Sequence, residues 1–170
     1  MTKSEVGSLK GENRKPQTDN REQKTQGQKV TSHTSKKNIM HRKSSYEGLQ
    51  RNIRSLKTPD IDVWQSQYPD KRFIVHIETS EFTCICPKTG LPDFADIGIE
   101  YMPAKWCVEL KSLKEYLMSF RDVGIFHEHF ANKLMDDFVK ACKPRWVKMT
   151  TKFNPRGGIT TIVTREFKGR

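Results

Sequence analysis

Apolar residues recur along the chain at two different spacings, and each spacing predicts one kind of element. Four stretches alternate apolar and polar positions, as strands with one buried face do: residues 71–79, 95–101, 145–153 and 159–167. Two stretches repeat apolar residues every three or four positions, as amphipathic helices do: residues 108–121 and about 126–142. The order ββααββ predicts an α+β fold in which an antiparallel sheet carries both helices on one face.

Each predicted helix has one apolar stripe. The stripes consist of Leu110, Leu113, Leu117 and Phe120 in the first helix, and of Phe130, Leu134, Phe138 and Cys142 in the second. Lys111 and Lys114 lie off the first stripe and face solvent or a ligand. Between the last two strands, residues 154–158 (NPRGG) form a turn sequence.

Residues 1–45 contain no aromatic residue and few apolar ones, which predicts a disordered tail ahead of a folded domain at residues 46–170. The tail holds 11 of the 31 Lys+Arg but only 4 of the 20 Asp+Glu, so it carries 7 of the 11 net positive charges. The folded part is only mildly basic. A nucleic-acid partner is therefore not expected, and an RNA-binding module rests on the tail charge alone.

The four cysteines lack the paired CxxC spacing of a structural zinc site, so no metal is expected. No apolar run approaches the roughly 18 residues of a membrane span. The first residues also lack the apolar stretch of a signal peptide. These features predict a cytoplasmic protein with reduced cysteines and no membrane partner.

Cys86 stands at the mouth of a stiff turn, CPKTGLPD, in which two prolines and a glycine exclude a helix. Asp93 follows seven residues later. A rigid turn can hold a thiol and a carboxyl group in a fixed relation, as covalent catalysis requires. This stretch alone favours a buried structural cysteine beside a proline-rich turn.

Other polar residues also have ordinary structural explanations. Glu109 opens the first helix and His127-Glu128 open the second, where the helix dipole favours an acid. His127 fits a capping or core histidine, and Arg156 fits a solvated turn residue. Adjacent residues do not share a helix face, so His127 and His129 make a poor metal pair.

Four runs, taken together and in order, carry a resemblance to a known family: CPKTGLPDFADI, ELKSLKEYLMSFRD, FHE and KFNPRGG. They resemble the single-domain 7-cyano-7-deazaguanine reductases of the queuosine pathway. The block ELKSLK is similar to the signature that separates these nitrile reductases from other tunnelling-fold enzymes, such as GTP cyclohydrolase I. The resemblance spans about residues 64–159 and does not reach the tail.

The resemblance implies an NADPH-dependent reduction of the nitrile of 7-cyano-7-deazaguanine to a primary amine. Cys86 matches the family nucleophile, which adds to the nitrile carbon and forms a covalent thioimide. Asp93 matches the proton donor to the nitrile nitrogen. NADPH is the expected cofactor.

The resemblance also implies binding roles. Glu128 matches the carboxylate that accepts the two parallel N–H donors of the guanine-like edge. The other predicted substrate contacts are Val108, Glu109, Leu110 and His127. The candidates for the NADPH phosphates are Lys111, Lys114 and Arg156.

Tunnelling-fold proteins close their sheets into barrels by oligomerising, so a ring of subunits, stacked in pairs, is expected. A four-stranded sheet with free edges gives the same expectation. Phe130 occupies the place where some family members carry a second cysteine, so the protective disulfide of those members is not expected. Cys84 is expected to point to the face opposite Cys86 and not to replace that cysteine.

Two other enzyme classes remain open at this point. One is the archaeal relatives that act as amidinotransferases on the nitrile base in tRNA, against which ELKSLK argues. The other is a cyclohydrolase-like zinc enzyme, for which the His and Cys spacing offers no metal site.

Overall fold

A computed structural model describes Tyr46, residues 48–50 and residues 52–169. The predicted tail, residues 1–45, lies outside the described residues. The regular elements, in chain order, are β1 (Val63–Gln65), β2 (Val75–Ile85), β3 (Pro92–Met102), β4 (Trp106–Val108), α1 (Leu110–Met118), α2 (His127–Cys142), β5 (Trp146–Phe153) and β6 (Ile162–Lys168), preceded by a 3₁₀ turn at Ile53–Ser55.

The four long strands form one antiparallel sheet in the order β2-β3-β5-β6. The predicted α+β order, ββααββ, is therefore confirmed. Two short strands, β1 and β4, pair antiparallel in a second sheet that the sequence pattern did not predict. At three residues each, they are too short to show a period.

The core lies between one face of the four-stranded sheet and the two helices. Every second side chain of β3 and β5 is buried, and these pack with the predicted stripe of α2, whose four residues are all 0 % exposed. In α1 the buried residues are Ser112, Leu113, Tyr116 and Leu117. Leu110 was predicted on this stripe but is 60 % exposed, because it is the first residue of the helix.

The turn that carries Cys86 is tighter than the sequence pattern predicted. β2 continues six residues beyond Thr79 to Ile85, after a register shift between Thr79 and Phe82, and β3 already begins at Pro92. Proline is tolerated at the first position of a strand. Only residues 86–91 are left to connect the two strands, so Cys86 and Asp93 stand at the two ends of a short hairpin loop.

Glu109 fixes where α1 begins. Its carboxylate accepts the backbone N–H of Lys111 (2.8 Å) and of Ser112 (2.6 Å), and it thereby caps two N–H groups that the first turn leaves without helical partners.

Within the described residues, no helix is long and apolar enough to span a membrane.

Candidate active site

The hairpin loop closes on the backbone of Cys86. The Cys86 N–H donates to the carbonyl of Leu91 (2.9 Å), and the N–H of Gly90 donates to the carbonyl of Cys86 (2.9 Å). Gly90 has φ of +71°. This backbone conformation is energetically unfavourable for residues that carry a Cβ, but glycine adopts it freely. The loop therefore holds the half-buried thiol at a fixed place at the end of β2.

Hydrogen bonds make the thiol of Cys86 more acidic than usual. Burial raises its pKa, but the Thr89 hydroxyl, the backbone N–H groups of Thr89 and Lys88, and the Arg156 side chain outweigh burial, and the net pKa of Cys86 is lowered. All of these donors stabilise the thiolate rather than the thiol. A lowered pKa is typical of a nucleophilic cysteine and unusual for a structural one.

Asp93 is buried, at 4 % exposure, and both oxygens of its carboxylate have partners. Oδ1 lies 3.0 Å from the Arg156 guanidinium and Oδ2 lies 3.3 Å from Nε2 of His127. Arg156 also reaches the Thr89 hydroxyl at 3.4 Å. Arg156 is therefore the side chain that links Cys86 and its loop to Asp93.

His127 is held from two sides at the start of α2. Its ring stacks on Phe153 at 3.6 Å with an interplanar angle of 7°, and its Nε2 faces Asp93. Glu128 is the next residue and is exposed at the surface. The structure thus brings together four of the predicted site residues, Cys86, Asp93, His127 and Arg156, and Glu128 follows His127 in the first turn of α2.

The other predicted substrate residues, Val108, Glu109 and Leu110, line a groove toward the far end of the sheet. The Val108 N–H donates to the Tyr101 hydroxyl (3.1 Å), and Tyr101 stands eight residues along β3 from Asp93. At about 3.3 Å per residue, that separation is roughly 25 Å. Val108, Glu109 and Leu110 line an apolar groove of about 630 Å³ there, together with Trp64 and other residues of that end.

Lys111 and Lys114, predicted to bind the cofactor, project from α1. Lys111 is 3.6 Å from Glu115 and largely exposed, and Lys114 lines a small pocket of about 230 Å³ between α1 and β2. Exposed ammonium groups suit phosphate binding as point charges, so these residues fit the anionic part of NADPH. Arg156 stands apart from them, beside Asp93.

The expectation that Cys84 points away from Cys86 is wrong. Cys84 is fully buried opposite Asp93, and its pKa is raised to about 12 by burial, by the charge of Asp93 and by that of Cys86. Residues two apart in an extended segment share a face, so the two thiols lie on the same side. That Cys84 does not act as a disulfide partner stays a prediction.

Two residues of the site had not been predicted at all. The sequence pattern predicts Thr89 only as part of the turn, and no local signal indicates that its hydroxyl reaches the sulfur. Phe153 was predicted as a strand residue, and its stacking on His127 follows from the pairing of β3 with β5, which places Phe153 opposite Ala95 and next to the Asp93 end of β3.

Similarity to known proteins agrees with this geometry. A family model described as "QueF-like protein" matches residues 92–170. The NADPH-dependent 7-cyano-7-deazaguanine reductase of Elusimicrobium minutum is 50 % identical over 112 residues, which cover 66 % of this chain and 84 % of that protein. The protein of the same name from Chloroherpeton thalassium is 48 % identical over 113 residues, 66 % of this chain and 97 % of that one.

The chain belongs to the NADPH-dependent 7-cyano-7-deazaguanine reductase family. The fold of this chain is also similar to that of a solved structure, the crystal structure of the archaeosine synthase QueF-Like in the apo form. The TM-score is 0.53 and the sequence identity is 27 %, over 57 % of this chain and 95 % of that one. The reductases are considerably more similar in sequence than the archaeosine synthase is. Membership in the reductase family is therefore the assignment that the comparisons support.

Proposed function

We propose that this protein reduces the nitrile of 7-cyano-7-deazaguanine to the aminomethyl group with NADPH, and that Cys86 is the nucleophile. The relatives at about 50 % identity bear the name of this activity. The observation that carries the residue assignment is the group of hydrogen-bond donors that lowers the pKa of Cys86, next to a buried carboxylate.

The first chemical step adds the Cys86 sulfur to the nitrile carbon, and the C≡N triple bond becomes a C=N double bond. The nitrogen takes up a proton as the thioimide forms. Oδ2 of Asp93 lies 3.3 Å from Nε2 of His127, and this pair is the proposed source of that proton. Arg156 holds the other oxygen of Asp93 and keeps the carboxyl group turned toward the loop.

When bound, NADPH supplies the two hydrides that carry the thioimide to the amine. The residues then have two tasks. The Cys86 sulfur leaves as a thiolate after the first reduction, and the donors of its loop that lower its pKa also make it a better leaving group. After the first transfer the pair of Asp93 and His127 takes up a proton from solvent, and it delivers this second proton to nitrogen. We assign the phosphates of NADPH to Lys111 and Lys114. The contacts of Arg156 support a role beside Asp93 rather than a phosphate contact.

We assign the guanine-like edge of the substrate to Glu128. A carboxylate accepts two parallel N–H bonds in one plane, and Glu128 is exposed and follows His127 in the chain. The base then lies with its nitrile toward Cys86. Glu128→Gln replaces one acceptor oxygen with a donor and should weaken binding of the base far more than it affects folding.

One group of predicted substrate residues is Val108, Glu109 and Leu110, and the other is His127 and Glu128. A second subunit would bring the two groups together at one substrate. Val108 contacts Tyr101, which stands roughly 25 Å along β3 from Asp93, and Glu109 and Leu110 line the same groove as Val108; that separation is much longer than a bicyclic base. Within the described chain no strand pairs with the outer side of β2 or β6, and the outer side of β2 is bridged only at Ile85, by Gly124. We propose a ring in which the groove of one subunit completes the Cys86 site of the next, with a sheet closed into a barrel.

Capture of the base tests the proposed nucleophile. Incubation with 7-cyano-7-deazaguanine, without NADPH, should raise the intact mass by the whole mass of the base, because addition to a nitrile expels no leaving group. Cys86→Ala should abolish the adduct, and Cys84→Ala is the matched control that should retain it if it folds. An adduct on any other residue, or none with folded protein, would reject the assignment.

Mixing of inactive variants tests the shared site. Cys86→Ala removes the nucleophile. Leu110→Arg places a large charged side chain in the groove that Val108, Glu109 and Leu110 line, and it should leave the core intact because Leu110 is exposed. If the two regions come from different subunits, a co-expressed equal mixture should regain about a quarter of the wild-type activity. Light scattering should first show that each variant assembles as the wild type does. No regain in mixed assemblies would place both regions in one subunit.

An amidinotransferase like the archaeosine synthase remains a second candidate because of the shared fold. Capture of the base by cysteine alone does not separate the two activities. Oxidation of NADPH does, since only the reductase consumes it. For the zinc enzyme, no three His, Cys, Asp or Glu side chains of the described chain are grouped to hold a metal ion, and metal analysis of the purified protein is the test.

A further inference from the structure

The first turn of α2 carries His127 and Glu128, but its own residues do not cap it. The N-cap position is Phe126, whose side chain has no oxygen and makes no capping bond. In a capping box, Glu or Gln three residues after the N-cap reaches back to the N-cap N–H. That place is occupied here by His129.

Gln50, far away in the sequence, supplies the missing partner. Its Oε1 accepts the backbone N–H of Phe126 (3.1 Å) and lies 3.1 Å from Nδ1 of His129. Its Nε2 donates to the carbonyl of Gly124 (3.0 Å) and to that of Leu49 (2.9 Å). One carboxamide therefore ties the loop before α2 to the first turn of the helix.

The same loop is also fastened to the strand end that carries the nucleophile. Ile85 donates its N–H to the carbonyl of Val123 (3.0 Å) and accepts the N–H of Ile125 (3.0 Å). Gly124, which Gln50 holds, lies between these two residues, and a Cβ placed on it would come within 3.8 Å of Pro87. Gln50 therefore binds a loop that contacts the Cys86 turn on one side and leads into α2 on the other.

An aromatic contact supports the same arrangement. The Tyr46 ring packs against Phe126 with centroids 5.5 Å apart, and the Lys88 ammonium lies 5.1 Å from the centre of the Tyr46 ring. Lys88 belongs to the Cys86 loop. The residues that precede the main sheet therefore contact both the Cys86 loop and the start of α2.

We propose that Gln50 is a positioning residue that orients Glu128 and His127 toward the substrate. The proposal rests on the proposed function, because it assigns Glu128 to the base. Glutamine suits the position since one planar group must accept the N–H of Phe126 and donate to the carbonyl of Gly124. Glu at this position keeps the acceptor but sets an oxygen against that carbonyl, and Leu keeps neither bond.

A double-mutant cycle measures whether Gln50 acts through Glu128. Binding of 7-cyano-7-deazaguanine is followed by calorimetry in the Cys86→Ala protein, so that no adduct forms. Gln50→Leu should raise the dissociation constant about tenfold when Glu128 is present and less than about twofold in Glu128→Gln protein. Gln50→Glu should fall between Leu and wild type. Equal losses in both backgrounds, or no loss, would overturn the proposal. Gln65→Leu, an exposed glutamine of β1, is the matched control.

Hydrogen exchange of the full chain provides a readout that needs no substrate. Gln50→Leu should speed exchange at least tenfold in a peptide covering residues 123–130, while peptides from β5 and from the second half of α2 keep the wild-type rate. If Gln50→Leu does not fold, Gln50→Glu should show the same local pattern more weakly. Uniform acceleration, or none, would refute a positioning role. Wild-type protein that binds no base would refute the proposed function instead, and exchange would still decide the role of Gln50.

Discussion

Replacing Arg156 with glutamine should lower the free energy of unfolding and also raise the pKa of the Cys86 thiol. The Arg156 guanidinium lies 3.0 Å from Oδ1 of Asp93, whose side chain is only 4 % exposed, whereas 35 % of the Arg156 side chain is exposed. A hydrogen bond between charged groups contributes about 1.5–3 kcal/mol. Because solvent screens Arg156 and His127 still contacts Asp93, we expect the lower end, about 1.5–2 kcal/mol of unfolding free energy.

The nucleophile should respond in a defined direction. Burial raises the pKa of Cys86, and Arg156 is one of the donors, after Thr89 and the loop N–H groups, whose combined effect lowers it. The alkylation rate follows the thiolate fraction, so it rises with pH and is half-maximal at the pKa. Loss of Arg156 should move that midpoint to higher pH. Thr89→Val should move it further, because Thr89 is the largest of the lowering contributions.

Arg165→Gln is the matched control for Arg156→Gln. Arg165 is also 35 % exposed and ion-paired, at 2.6 Å from Asp136, but Asp136 is 59 % exposed. An exposed pair contributes about 0–1 kcal/mol. Urea unfolding gives the stability, and iodoacetamide labelling of the Cys86 peptide, quantified by mass spectrometry across pH, gives the midpoint. Equal stability losses in the two variants, or an unmoved Cys86 midpoint in Arg156→Gln, would show that Arg156 does not organise this site.

Two further predictions concern the elements that carry the site. Phe130→Ala should cost about 3–5 kcal/mol by urea unfolding, because Phe130 is fully buried and stacks on Phe82 at 3.9 Å; a loss below about 1 kcal/mol would mean that this core is not packed as described. The N–H groups of Ser112 and Lys111 lower the pKa of Glu109, so its cap stabilises the fold above the pKa of the unfolded chain and is lost as pH falls through the folded pKa. Glu109→Gln should therefore lower the urea midpoint at neutral pH, and the gap to wild type should close in acid; a gap that persists there would contradict the capping role.

The periodic pattern predicted the main sheet and both helices because each has one buried face. It missed β1 and β4, since three residues show no period, and it placed Leu110 in the core although a first helical residue has too few neighbours to be covered. The turn around Cys86 was predicted as stiff, but its length was not. That length depends on the register shift in β2 and on Pro92 opening β3.

The residues of the site could be predicted only in part. The family resemblance of short motifs implied Cys86, Asp93, His127 and Glu128, and the structure places Cys86, Asp93 and His127 at one end of the sheet, with Glu128 next to His127 in α2. The pairing of Arg156 with Asp93 joins residues 63 positions apart, and the contacts of Gln50 reach 74 to 79 positions along the chain. No local pattern reports such distances, because they are set by how β3, β5 and the helices pack.

The most direct test of the central claim is the stoichiometry of NADPH oxidation. Purified wild-type protein is given a limiting amount of 7-cyano-7-deazaguanine with excess NADPH, and nicotinamide absorbance is followed to completion beside Cys86→Ala. We predict two NADPH oxidised per base, formation of the primary amine, and no oxidation in the variant. Adduct formation at Cys86 without NADPH oxidation, in folded and assembled protein, would contradict the reductase and favour the amidinotransferase.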